Sequence, residues 1–133
     1  MMEPEFLEIT DVLRIHEDQV LTYGGSTQLR DAGLLASAVA MPRAGSGGVY
    51  LHADLIEMAG AYLFHLVSNH PFVDGNKRVG TVAALVFLDL NGIETEIDDD
   101  ELAEMVLALA RSEIGKAEVV AFLRKHAVGP TNL

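Results

Sequence analysis

Eleven consecutive residues, His70-Pro71-Phe72-Val73-Asp74-Gly75-Asn76-Lys77-Arg78-Val79-Gly80, set a base, a carboxylate, a glycine and two cations immediately ahead of an apolar run. Those residue types in that order suit phosphate chemistry. Gly75 permits a tight turn, and a helix starting near Asn76 leaves the backbone N–H groups from Gly75 to Arg78 without intrahelical acceptors, where the helix dipole favours an anion. The Arg78 guanidinium can fork onto phosphate oxygens, Asp74 can hold the Mg²⁺ that travels with a nucleotide, and His70 can take a proton from an attacking hydroxyl. Phosphoryl or nucleotidyl transfer needs these parts.

Two helices must present such a loop. Leu55, Ile56, Ala59, Tyr62, Leu63, Leu66 and Val67 share one face of a helix that begins at His52 or Ala53 and delivers the chain to His70. The next helix runs from Asn76 to about Leu90 and stops at Asn91-Gly92. It is apolar nearly all round, which predicts that it is the buried centre of the fold. Upstream, Thr10 is the expected cap of a helix whose inward positions are Val12, Leu13, Ile15, Val20 and Leu21, ended by Tyr23-Gly24-Gly25. Asp31 caps a short helix through Leu34, Leu35, Ala38 and Val39, closed by Pro42. The stretch from Met41 to Tyr50, with Gly45, Gly47 and Gly48, reads as a flexible loop outside the core. Ile93 to Ile97 predicts a short extended piece, and Asp98-Asp99-Asp100-Glu101 an acidic start for a helix over Leu102 to Ala110 rather than a metal site. A last helix, Ala117 to His126, turns Val119, Val120, Phe122 and Leu123 inward. The expectation is an all-α bundle of about six helices, a single domain over 1–133 with no repeat or linker.

At 133 residues and 50% hydrophobic composition, the chain can bury a core of its own. Its lack of cysteine excludes a disulfide framework and a thiolate zinc site. With no run approaching a membrane span and no basic leader before Glu3-Pro4-Glu5, a cytoplasmic protein is expected. Twenty acidic against nine basic side chains give a net charge of −11, which repels polyphosphate and argues against a sequence-independent nucleic-acid binder. A local positive pocket remains open, and Arg43, Lys77 and Arg78 are the cations expected to face it. Phe72 is expected to anchor the loop in the core. His16, His52, His65 and His126 read as structural or exposed. His65 and His70 stand five apart, on different faces of one helix, which disfavours a two-histidine metal site.

The string resembles the shared motif of the Fic/Doc family, H-x-F-x-(D/E/N)-(G/A)-N-(G/K)-R, with every fixed position filled. Lys77 replaces the glycine of the Fic branch and Thr81 replaces its second arginine, so the nucleotide-handling end is similar to the Doc branch. Tyr23-Gly24-Gly25, Leu29-Arg30-Asp31-Ala32-Gly33-Leu34-Leu35, Ala38-Val39-Ala40, Pro42 and Asn91-Gly92 also look like Doc landmarks.

The resemblance implies a helical Fic/Doc fold with a flap loop before the motif, here Met41 to Tyr50, that holds the target in extended form by main-chain pairing. It implies ATP and Mg²⁺ as cofactors, His70 as general base, Asp74 as metal ligand, the amides of Gly75 to Lys77 as an anion nest, Asn76 orienting a phosphate or the loop, and Arg78 neutralising transition-state charge. In the Fic branch, attack on the α-phosphorus transfers AMP. A lysine in the nest and a missing second arginine point instead to a Doc-type transfer of the γ-phosphate to a threonine or serine, as on elongation factor Tu, which arrests translation. AMP transfer and an inactive binding module are the alternatives. The self-inhibitory motif (S/T)-x-x-x-E-(G/N) of many Fic proteins is absent from the sequence, so restraint is expected in trans from a small antitoxin.

Overall fold

Six α-helices and two short two-stranded ribbons make up the regular structure of residues 3–128, the part of the chain that the computed structural model describes. Met1, Met2 and residues 129–133, which the single-domain reading includes, lie outside it. In chain order the elements are α1 (Ile9–Tyr23), α2 (Ala32–Ala40), a 3₁₀ turn (Met41–Arg43), β1 (Gly45–Ser46), β2 (Val49–Tyr50), α3 (Leu55–Asn69), α4 (Asn76–Leu90), β3 (Glu94–Thr95), α5 (Asp99–Ala110), α6 (Lys116–His126) and β4 (Ala127–Val128). The all-α expectation holds. None of the helices among the described residues is long and apolar enough to cross a membrane.

The centre of the bundle is α3, together with α4, rather than α4 alone. α3 buries nine residues and α4 seven, and on α4 Val82, Leu85 and Val86 stay partly exposed. Small residues explain the difference. α3 carries Ala59, Gly60 and Ala61, so α6 approaches one side closely enough that a Cβ on Gly60 would lie 2.5 Å from Val120 Cγ2. On its other side Gly80 of α4 comes so near that a Cβ there would lie 3.0 Å from Val67 Cγ2. Close helix approach on two faces leaves α3 no solvent side over most of its length. The core is completed by Leu7, Val12, Leu35, Phe72, Phe87, Val106 and Leu123.

Local signals placed most helix ends, although α3 begins at Leu55 behind an Asp54 cap rather than at His52 or Ala53. Asp31 accepts from Leu34 N at 2.9 Å, Asp54 from Glu57 N at 2.9 Å and Asp98 from Glu101 N at 3.1 Å, so side-chain oxygens satisfy three first-turn donors. Gly92 takes the left-handed conformation expected after α4, at φ 82°. The start of α1 differs from expectation. Thr10 lies inside the first turn, and Asp11 reaches back to accept from Glu8 N at 2.7 Å, so Glu8 is the cap and the helix begins two residues earlier. Leu13 and Leu21 face solvent, because α1 lies on the surface and only Val12 and His16, four apart on one stripe, are buried.

The glycine-rich stretch is ordered. Gly47 and Gly48, both at positive φ (59° and 79°), form a two-residue turn between β1 and β2, which pair antiparallel with Gly45 opposite Tyr50. β3, in the predicted extended piece, gains a partner from the far end of the chain: Glu94 pairs with Val128 and Thr95 with Ala127.

Candidate active site

The loop between α3 and α4 has no repeating structure, yet hydrogen bonds fix its course throughout. It opens at His70, which ends α3 in the left-handed region at φ 54° and ψ 51°, a conformation that costs a non-glycine residue about 1–2 kcal/mol. Arg30 holds it there. Its Nε donates to His70 O at 2.6 Å and its Nη2 to Asn69 O at 2.9 Å, meeting two carbonyls that the helix end leaves unpaired. The imidazole itself is exposed.

Next, Pro71 O accepts from Arg30 N at 2.7 Å and Asp31 N at 3.0 Å, and Val73 N donates to Gln28 O at 3.0 Å. Leu29 and Phe72 thus face each other in an antiparallel bridge. The Phe72 side chain is fully buried, as expected for an anchor. Its main chain is gripped by Asn76, whose Oδ1 accepts from Phe72 N at 3.0 Å and whose Nδ2 donates to Phe72 O at 2.9 Å. The buried Asn76 side chain is therefore committed to the loop. Its backbone N–H, with those of Lys77 and Arg78, stands at the start of α4 behind Gly75, which sits at φ 82° and brings no capping side chain.

Asp74 projects outward beside this helix start. Ser26 N donates to its Oδ2 at 2.9 Å, and Gly25 lies so close that an added Cβ would be 3.3 Å from Asp74 Cβ. Lys77 and Arg78 are exposed, with the Arg78 guanidinium 4.5 Å above the Tyr23 ring. Thr81, one turn on, donates its hydroxyl to Lys77 O at 2.7 Å. Beyond these residues a cleft of about 460 Å³ opens between α1, α4 and α5, with Val82, Leu102 and Val106 on its apolar wall.

Proton acceptance at an exposed imidazole, anion binding by three helix-start amides and a guanidinium, and cation attraction by one carboxylate are what this arrangement can do. Arg43 takes no part. It pairs with Glu8 at 3.1 Å and lies over the Phe6 ring, so the expected third cation is engaged elsewhere. The described residues contain no cluster of three potential metal ligands. A lone Asp74 carboxylate fits Mg²⁺ that arrives with phosphate oxygens of its own.

Four residues went unnoticed in the sequence as part of this neighbourhood: His16, Tyr23, Ser26 and Arg30. His16 is the most unexpected, stacked on Phe72 with ring centroids 3.7 Å apart and 9° between planes, its Nε2 2.7 Å from Asp74 O. The other histidines lie away from the loop. Burial pushes the His65 imidazole down to about 4, with Lys116 and His52 adding to the effect, and burial likewise lowers His52. His126 sits against Glu96 O at 3.0 Å.

Comparison with known proteins finds the profile of the Fic/DOC family matching residues 6–88. A protein named Toxin Doc from Mycolicibacterium smegmatis is 42% identical over 96 residues, 72% of either chain. A protein named Protein kinase doc from Escherichia phage P1 is 30% identical over 115 residues, 86% of this chain and 90% of the relative.

Proposed function

The chain belongs to the Fic/DOC family, and from that premise we propose that it is a single-domain Doc-type protein kinase toxin acting in the cytoplasm. It moves the γ-phosphate of ATP to a threonine or serine hydroxyl of a target such as elongation factor Tu, and so blocks translation. The observation that carries this reading is the start of α4. Lys77 fills the place where a glycine would leave the nest open, and one turn later stands Thr81, its hydroxyl folded back onto Lys77 O, where a second arginine would grip a γ-phosphate. The kinase and toxin names of the two relatives support the same branch.

In this reading His70 accepts the proton of the target hydroxyl as that oxygen attacks the γ-phosphorus and the bond to the bridging oxygen breaks. Exposure of the imidazole at the mouth of the site supports the role. The amides from Gly75 to Lys77 and the Arg78 guanidinium meet the charge on the nucleotide phosphates, where aligned donors are most effective. Asp74 is the residue that would hold Mg²⁺, which when bound neutralises phosphate charge. Asn76 keeps the loop in shape. The hairpin over 45–50 is the flap that receives the target segment. The cleft between α1, α4 and α5, apolar on one wall and flanked by Lys77 and Arg78, suits the amphipathic segment of a small antitoxin binding in trans.

Incubation of the protein with translation factors and either α-labelled or γ-labelled ATP tests the proposal. We expect only the γ label to appear on the target. Transfer of the α label makes the protein an AMP transferase instead, and transfer of neither leaves a binding module.

A further inference from the structure

We infer that His16 is a positioning residue which aims the Gly75 amide into the anion site. The inference rests on the proposed phosphate chemistry at α4, but its geometry stands by itself. α1 buries only Val12 and His16. An imidazole thus occupies a core position that an aliphatic side chain would fill, and a polar ring only 2% exposed is costly unless hydrogen-bonded. Its partner belongs to the functional loop. Nε2 lies 2.7 Å from Asp74 O, and because a carbonyl only accepts, Nε2 carries the hydrogen.

The direction of that bond has a consequence one atom further on. The backbone has no cis peptide among the described residues, so the C=O of Asp74 and the N–H of Gly75 lie antiparallel across one rigid plane. A carbonyl drawn inward to His16 turns the Gly75 N–H the opposite way, outward from the buried ring. Gly75 itself is backed by the ring, since an added Cβ would lie 3.4 Å from His16 Nε2. The same imidazole stacks on Phe72, whose main chain Asn76 holds, so ring, loop and helix start form one unit. With glycine at the turn nothing local prevents the 74–75 peptide from flipping, and His16 supplies the restraint from 58 residues away in sequence.

Two substitutions separate the donor from the stack. His16→Phe keeps a buried aromatic ring on Phe72 and removes the N–H; His16→Gln keeps an N–H at similar reach and removes the ring. Each full-length variant is measured by thermal unfolding, by the amide NMR signal of Gly75 without ligand, and by calorimetric titration with ATP. We expect His16→Phe to unfold near the wild-type temperature, to shift the Gly75 amide signal, and to bind ATP about tenfold more weakly, the size of one lost charge-assisted hydrogen bond. His16→Gln is expected to lose thermal stability while recovering most of the affinity. His16→Leu serves as the donor-free variant if the phenylalanine does not fold. Wild-type affinity and an unmoved Gly75 signal in a folded donor-free variant overturn the inference, even if γ-phosphate transfer by the wild type upholds the kinase reading. A moved Gly75 signal in a chain whose wild type ignores ATP supports the positioning and removes the kinase reading.

Discussion

The two loops that flank α3 are built on opposite terms. The loop before it, 45–50, is a glycine-turned hairpin of two residue pairs, extended by Leu51 N to Ala44 O at 2.8 Å, with Val49 and Leu51 at 71% and 66% exposure; it meets the rest of the molecule through one side chain, Tyr50, whose hydroxyl donates to Glu3 at 2.6 Å and whose ring packs edge-on against Phe6. The loop after it, 70–75, has no ladder of its own but is bonded to α1, to the 26–31 segment and to α4. Regular hydrogen bonding is thus no measure of how firmly a segment is held. What fixes a segment is the number of its groups that engage the rest of the molecule, and chemistry at fixed atoms requires that kind of fixing, whereas a surface that pairs with a changing partner does not.

The comparison is sharpened most by removing the proposed base. His70→Ala is expected to lower phosphate transfer by roughly 10²- to 10⁴-fold while leaving thermal unfolding unchanged, since the ring is exposed and the loop is held by main-chain bonds that survive. Transfer at the wild-type rate breaks it. Phe72→Ala attacks the anchoring instead. Loss of a fully buried ring under His16 should remove about 3 to 5 kcal/mol of stability, read as a lower denaturant midpoint with unchanged slope. An unchanged midpoint would mean that the loop is held without its core residue.

The smallest effect belongs to the hairpin. Gly47→Ala places a side chain at φ 59°, which costs about 1–2 kcal/mol locally. We expect faster hydrogen exchange at the Leu51 amide and no change in the global unfolding midpoint. A fall in the midpoint as large as that of Phe72→Ala would put the two loops in one cooperative unit and abolish the contrast.

How much of this was legible in the sequence depended on distance along the chain. The Gly75-Asn76 helix start, the Asp31 cap, the acidic start at Asp98 and the Gly92 stop are decided within four residues, where turn and dipole chemistry act. Even the hairpin carried its signal, two glycines between two short extended pairs, though the abundance of glycine read as looseness. His16 could not be recognised. A histidine on an amphipathic helix looks the same whether it fills the core or holds a peptide group brought from afar, and nothing within α1 states where Asp74 will be. Arg30 and Tyr23 share that difficulty, because their partners are Asn69, His70 and Arg78. The burial of α3 above α4 was hidden for a different reason: alanines and glycines score as weakly apolar, yet they are what lets two neighbours close on one helix.

The bonds that hold the 70–75 loop span 40 residues from Arg30 to His70, 48 from Ser26 to Asp74 and 58 from His16 to Asp74. Ribosomal synthesis at ~5–20 residues per second leaves the earlier partners waiting roughly 2 to 12 s for the later ones. Throughout that interval the His16 imidazole and the main-chain groups of Gln28, Arg30 and Asp31 lack the partners they hold in the finished protein. Even the arrival of His70 changes little, because Asn76 and the first turn of α4 must follow before the loop can close. A chain that ends between His70 and Asn76 carries the histidine but not the side chain that grips Phe72, so its loop lacks the bonds that give it its shape.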